Sequence, residues 1–349
     1  MPSINRRQWI QQAVTAALIP TTLATSTSTA LATEAESPPN PFALQFTIDK
    51  GFSADLSPQF QRKLVQAILD IIQKHYNQNS LPVWSVSFKE ANLPPRLESI
   101  SHWLVKGCEQ HRAIYPVDPV WIMAQMMLES FFYERAISWA SAVGVCQFIR
   151  PTAQSYQMVC AGDRAEHRHP PFLKPEYAKS LDDYYQFRRE LSRYRDKNWQ
   201  KALEREECLK LMAAGDLAKI GQRLQENDNY YAAKAHYEAQ IKRSRNEYRD
   251  FLRLNSAGKS ILKDSTALAA LDERLTHEKP VPAMVQMLAE HLRARKGNML
   301  IAAAGYHAGL SRTKAQSLYE PYGRIPVIQS TVDYLSKIIV IYHELRHRL

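Results

Sequence analysis

Residues 118–153 read DPVWIMAQMMLESFFYERAISWASAVGVCQFIRPTA. Asp118-Pro119 has the form of a helix start, a capping side chain followed by a residue that needs no intrahelical donor. Val120, Met123, Ala124, Met127, Leu128 and Phe131 then recur at helical spacing and define a buried stripe. One carboxylate, Glu129, sits among Met126, Met127, Leu128, Phe131 and Phe132. Apolar neighbours disfavour its charged form, and so does the negative end of the helix dipole in the last turn. Both effects favour the protonated acid at neutral pH, the state a general acid needs. The ordinary alternative is a solvated glutamate at a helix edge. The residues after Glu129 favour a site: Ser138, Ala140, Ser141, Ala142 and Gly144 make a small-residue surface that can admit a ligand.

Outward from this segment the chain reads as all-α. Its 349 residues contain only 11 Gly, with long stretches rich in Leu, Ala, Gln, Glu, Lys and Arg. Ser57-Pro58 opens a helix with Phe60, Leu64, Ile68, Ile71 and Ile72 on one face. A break follows, in which Val83–Phe88 is compatible with a short strand, and the next helix covers Arg96 to Ala113. From Asp182 to Leu254 the sequence is aromatic, charged and free of proline. Tyr184, Phe187, Leu191 and Tyr194 on one side, and Tyr237, Ile241, Ser244, Tyr248 and Phe251 on the other, predict an antiparallel helical hairpin. Gly215, Gly221 and residues 226–229 are the expected breaks between its arms. Helical character returns at Val285, Met287, Leu288, His291 and Leu292, and a last helix runs from Gln329 to His343.

The amino terminus reads as an export signal. Arg6-Arg7 precede Gln8-Trp9-Ile10, a weakly apolar run comes next, and Ala30-Leu31-Ala32 offers a cleavage site. The arginine pair is twin-arginine-like, with a Sec signal or an uncleaved anchor as the alternative. Loss of residues 1–32 removes two arginines and no acid, lowering the formal charge from +10 to +8. Nucleic acid, a membrane surface or an anionic wall polymer would suit that surplus, and export disfavours nucleic acid. No later run is long and apolar enough to span a bilayer. Cys108, Cys146, Cys160 and Cys208 permit three disulfide pairings or buried free thiols, and their spacing fits no zinc pattern, so no metal is expected.

The 118–153 segment resembles the first half of a lytic transglycosylase catalytic domain, the soluble-type branch of the goose-lysozyme-like superfamily. Glu129-Ser130, Ser138, Gly144, Gln147 and Thr152-Ala153 stand at that family's offsets. "MLIAAAGYHAGLSR", from Met299, is similar to its Ala-Tyr-Asn-Ala-Gly segment, and Ile325-Pro326, Thr331 and Tyr334 match its closing helix. Four positions depart from the family: Cys146 for Met, Ser141 for Gly, His307 for Asn and Ser330 for Glu.

The resemblance implies an all-α, lysozyme-like catalytic domain with no metal or organic cofactor. It implies that Glu129 is the catalytic acid and base, with Tyr306 donating a hydrogen bond that orients it. Ser138, Gly144, Gln147, His307 and Tyr334 would bind the substrate, peptidoglycan glycan strands. The expected organisation is a signal peptide at 1–32, a linker at 33–56, and an amino-terminal helical extension at 57–99. The transglycosylase domain would cover 100–154 and 280–349, interrupted by a helical insertion at 155–279. Residues 184–253 hold 16 Lys or Arg against 11 Asp or Glu. A solvated helix surface accounts for that mixture; the functional alternative is an arm at 182–254 that docks a protein partner or rests on the anionic wall. The expected location is the periplasm. A hydrolytic muramidase using the same Glu129, and a weakly catalytic glycan-binding scaffold, are the competing readings.

Overall fold

The structure, a computed structural model, describes residues 46–76, 80–172, 174–318 and 320–349. The expected signal peptide and linker residues 33–45 lie outside these. Two compact units are present among the described residues, one formed by those up to Met158 together with Ser260–Leu349, the other by those of Val159–Lys259. Among the described residues there are helices, turns and isolated bridges but no strand.

In the first unit, α1 (Pro58–Tyr76) begins as expected, with Ser57 Oγ accepting from the Phe60 amide. It packs on α3 (Leu93–His111) and α12 (Gln329–Arg346), so the amino-terminal segment is a layer of this unit. The stretch compatible with a strand, Val83–Phe88, is not one. Val83 and Ser85 hold φ of 68° and 58°, which breaks an extended run, and Ser87 instead forms a capping box with Glu90 for the short α2 (Phe88–Ala91).

The central helix is α4 (Pro119–Ser130), capped by Asp118 as expected. It is buried on every side, beyond the single predicted stripe: each of its residues except Glu129 is buried. Helix α12 lies antiparallel to it, and two tyrosines mark the pairing. Tyr342 donates to Asp118 Oδ2 (2.8 Å) at the start of α4, and Tyr334 donates to Glu129 Oε1 (2.7 Å) at its end. The unit continues through α5 (Arg150–Ser155), α9 (Ile261–Leu271), α10 (Pro280–Ala294) and α11 (Met299–Ala308). Residues 260–279, read from the sequence as insertion, belong here, because Leu268, Leu271 and Leu275 are buried and Arg274 is fully enclosed.

The second unit contains α6 (Pro175–Asn198), α7 (Arg205–Ala213) and α8 (Leu217–Ser256). α6 and α8 form the predicted antiparallel pair: Ser180 bonds Glu247, while Tyr194 stacks on Tyr230 with centroids 5.8 Å apart. Tyr184, Tyr248 and Phe251 are buried as the stripes required. Gly221 and residues 226–229 do not break the chain; α8 runs through them for 40 residues. A Cβ at Gly221 would meet nothing, and Arg223 joins Glu207 of α7 to Glu226, so local helix weakness is offset by ion pairing across the turn. Only Gly215, with φ of 68°, marks a break, between α7 and α8. The four cysteines are free thiols. No described helix is long and apolar enough to cross a membrane.

Candidate active site

α4 ends abruptly because Phe131 and Phe132 both adopt left-handed backbone, with φ of 53° and 61°. The Trp84 indole N–H donates to the Phe131 carbonyl at 2.8 Å and holds this turn. Glu129 is left half-buried at the end of an apolar helix, the one residue of α4 with a path outward.

The next residue anchors the loop that faces it. Ser130 Oγ donates to the Val145 carbonyl at 2.8 Å. The loop itself is a set of short backbone closures: Gly144 N–H to Ala136 O (2.9 Å), Ser138 N–H to Ala142 O (2.9 Å) and Val143 N–H to Phe148 O (3.1 Å). Gln147, at φ of 51°, turns its amide nitrogen inward to the carbonyls of Gly144 (2.8 Å) and Ala136 (3.1 Å). Ser138 Oγ accepts from the Ala142 amide at 3.0 Å. Both residues were expected to meet sugar; the bonds they make here hold the loop in shape. Gly144 is the close-approach position: with φ of 80°, its missing Cβ would stand 1.8 Å from the Arg274 carbonyl oxygen.

Arg274 is the residue the sequence reading missed. It is fully buried, bonded bidentately to Asp272 (2.6 and 2.9 Å), and it donates to the Phe148 carbonyl at 3.1 Å. A charged pair two residues apart carries no periodic signal, so nothing in the sequence set it apart from surface charge. A second buried pair lies below the turn after α4, where Arg96 meets Glu134 at 2.6 Å and Ile261 N–H also donates to Glu134.

Three further candidates come from the distant half of the unit. Tyr334, expected to touch substrate, is buried, and it is the residue whose hydroxyl donates to Glu129. Tyr306, expected in that role, donates its single hydroxyl proton to the Cys146 carbonyl oxygen at 2.5 Å. Burial pushes the Tyr306 phenol well above 10, with Cys146, the Glu129 charge and Tyr156 acting in the same direction. Burial, and then the Glu129 charge, likewise hold the Cys146 thiol protonated. His307 lies flat on the Tyr334 ring, 4.5 Å between centroids and 26° between planes. Glu129 thus stands within the electrostatic reach of two groups that stay neutral, Cys146 and Tyr306, and accepts a hydrogen bond from a third, Tyr334.

A family comparison bears on this arrangement. Residues 108–172 match the model of the transglycosylase SLT domain. In this stretch the chain is similar to the SLT domain. No curated protein and no solved structure matches the chain. The all-helical architecture of the described residues agrees with a lysozyme-like SLT domain, a family of peptidoglycan lytic transglycosylases. The SLT stretch contains Glu129, Ser138, Gly144 and Gln147 and reaches 14 residues into the second unit. Tyr306, His307 and Tyr334 lie outside it; the packing of α11 and α12 brings them to the end of α4.

Proposed function

We propose that this protein is a peptidoglycan lytic transglycosylase that cleaves the β-1,4 bond between N-acetylmuramic acid and N-acetylglucosamine. The observation that carries the reading is Glu129, held by Tyr334 at the open end of a buried helix beside the Ser138–Gln147 loop. In the proposed reaction Glu129 enters protonated and gives its proton to the glycosidic oxygen. The substrate's own acetamido group meets the charge that develops at the anomeric carbon. Glu129, now ionised, takes the proton of the muramyl C6 hydroxyl, and that oxygen closes on the anomeric carbon to give the 1,6-anhydro product. No water is consumed, which separates this scheme from two-carboxylate glycosidases.

The acids that flank α4 are engaged elsewhere, which supports a single-acid scheme. Glu134 is buried against Arg96, and Asp118 caps α4 and accepts from Tyr342. Ser138, Gly144 and Gln147 would line the glycan on one side, with Tyr306 fixing the Cys146 carbonyl behind them. The protein would act outside the cytoplasm, in a periplasm, as the amino-terminal sequence suggests. The charged helices of the second unit would either form a solvated arm or dock a protein partner.

Digestion of purified sacculi tests the proposal. Wild type should release anhydro-muropeptides, and Glu129→Gln should release none. Products heavier by one water would identify a muramidase instead, and unchanged release from Glu129→Gln would remove Glu129 from the chemistry.

A further inference from the structure

His307 is the penultimate residue of α11, at a position where the family resemblance expects asparagine. It is held on two sides by α12. Its face covers the Tyr334 ring, and its Nδ1 lies 3.2 Å from Thr331 Oγ1. Thr331 and Tyr334 are one turn apart on the same side of α12, and both are buried, at 0% and 5% exposure. The imidazole is therefore located by a hydrogen bond at one residue and a stack on the other.

The consequence passes to Glu129. Tyr334 has one hydroxyl proton, and it goes to Glu129 Oε1 at 2.7 Å. That bond weakens steeply with small displacements, and displacement of a reacting group by an ångström is costly in rate. A phenol ring resting on a located imidazole cannot slide along its own plane without losing the stack. An asparagine could reach Thr331 but would offer no ring to Tyr334.

Resting on the Glu129 chemistry, we infer that His307 is a positioning residue: anchored to Thr331, it holds the Tyr334 hydroxyl in register with the Glu129 carboxyl. This differs from a role in binding sugar directly, and the two have opposite kinetic signatures. A positioning residue changes kcat and leaves KM in place, whereas a sugar contact made equally in ground and transition states changes KM.

A double-mutant cycle on the full-length protein decides between them, using soluble glycan strands and counting anhydro ends. His307→Ala should lower kcat by about tenfold, the scale of coupling between residues in contact, with KM held to within about twofold. In a Tyr334→Phe background the same substitution should cost nothing further, because the hydroxyl it positions is gone. His307→Phe, which keeps a ring for the stack but loses the Thr331 anchor, should recover part of the loss, and His307→Asn, which has no ring, should recover none; this pair carries the test should the alanine variant fail to fold. Additive losses in the cycle, or a raised KM with kcat intact, overturn the inference while leaving the Glu129 reading standing. An active Glu129→Gln overturns both.

Discussion

The α-carbon of Gly144 lies against the Arg274 carbonyl, at a distance where even a methyl group would sit 1.8 Å from the oxygen. The contact joins the loop after the candidate acid to a turn 130 residues later in the chain, and Arg274 closes the other side through its bond to the Phe148 carbonyl. The shape of the proposed glycan surface thus depends on a fully buried ion pair, Asp272–Arg274, that no ligand touches in the proposed scheme.

Gly144→Ala should therefore be severe. The left-handed backbone alone costs about 1–2 kcal/mol for a residue with a Cβ, and the clash adds to it. Thermal unfolding should show a clear loss of stability, and any folded fraction should release few muropeptides. A Gly144→Ala protein as active and as stable as wild type would mean that the loop does not pack on Arg274.

The Arg96–Glu134 pair predicts a different pattern. Removing one partner leaves the other buried and charged, so Arg96→Met should destabilise by about 3–5 kcal/mol. Replacing both, as Arg96→Met with Glu134→Leu, should recover much of that loss. Urea denaturation of the singles and the double gives the comparison, and a double variant worse than either single would contradict it.

His277 predicts an acid-labile fold. It is buried, bonded to Ser99 Oγ at 3.0 Å, and burial, with the Arg96 cation adding to it, pushes its pKa down to about 3. Below the ordinary histidine range, near 6.5, the unfolded chain binds a proton that the folded one refuses, so stability falls as pH drops from there toward 3. Above 6.5 the contribution is constant. One such proton gives a slope of at most about 1.4 kcal/mol per pH unit. His277→Gln should flatten the stability profile between about pH 6 and 4 by up to that amount, as measured by denaturation at each pH; an unchanged profile would place the lost proton elsewhere.

Tyr334 and Tyr306 should separate in kinetics. Tyr334→Phe deletes the donor to Glu129 and should lower kcat by roughly 10- to 100-fold, as expected for a hydrogen bond to a charged group. Tyr306→Phe leaves the Cys146 carbonyl without its donor and should register in stability, by about 1–3 kcal/mol, at least as much as in rate. The reverse ranking of the two in kcat would return the orienting role to Tyr306.

How much of this was legible in the sequence differs by element. Helix α4, its Asp118-Pro119 start and the unusual placement of Glu129 could be read from spacing and local polarity, because helix capping and burial periodicity are local properties. The pairing of α6 with α8 was legible for the same reason, in its aromatic stripes. The break signals at Gly221 and residues 226–229 are overridden in the fold, since exposed helix positions tolerate weak formers when ion pairs such as Arg223–Glu226 support them. The Val83–Phe88 stretch departs from the expected strand because two left-handed residues, neither of them glycine, cannot be anticipated from composition.

By itself the sequence determined the helical class, the family offsets from Glu129 to Gln147, and the candidate acid. Only the tertiary structure decided which tyrosine meets that acid, that residues 260–279 pack within the first unit, and that Arg274 and Asp272 hold the loop. The reason is physical: capping, periodicity and backbone handedness act over a few residues. A hydroxyl finds its acceptor through the docking of distant helices, as the 205-residue separation of Tyr334 and Glu129 makes plain.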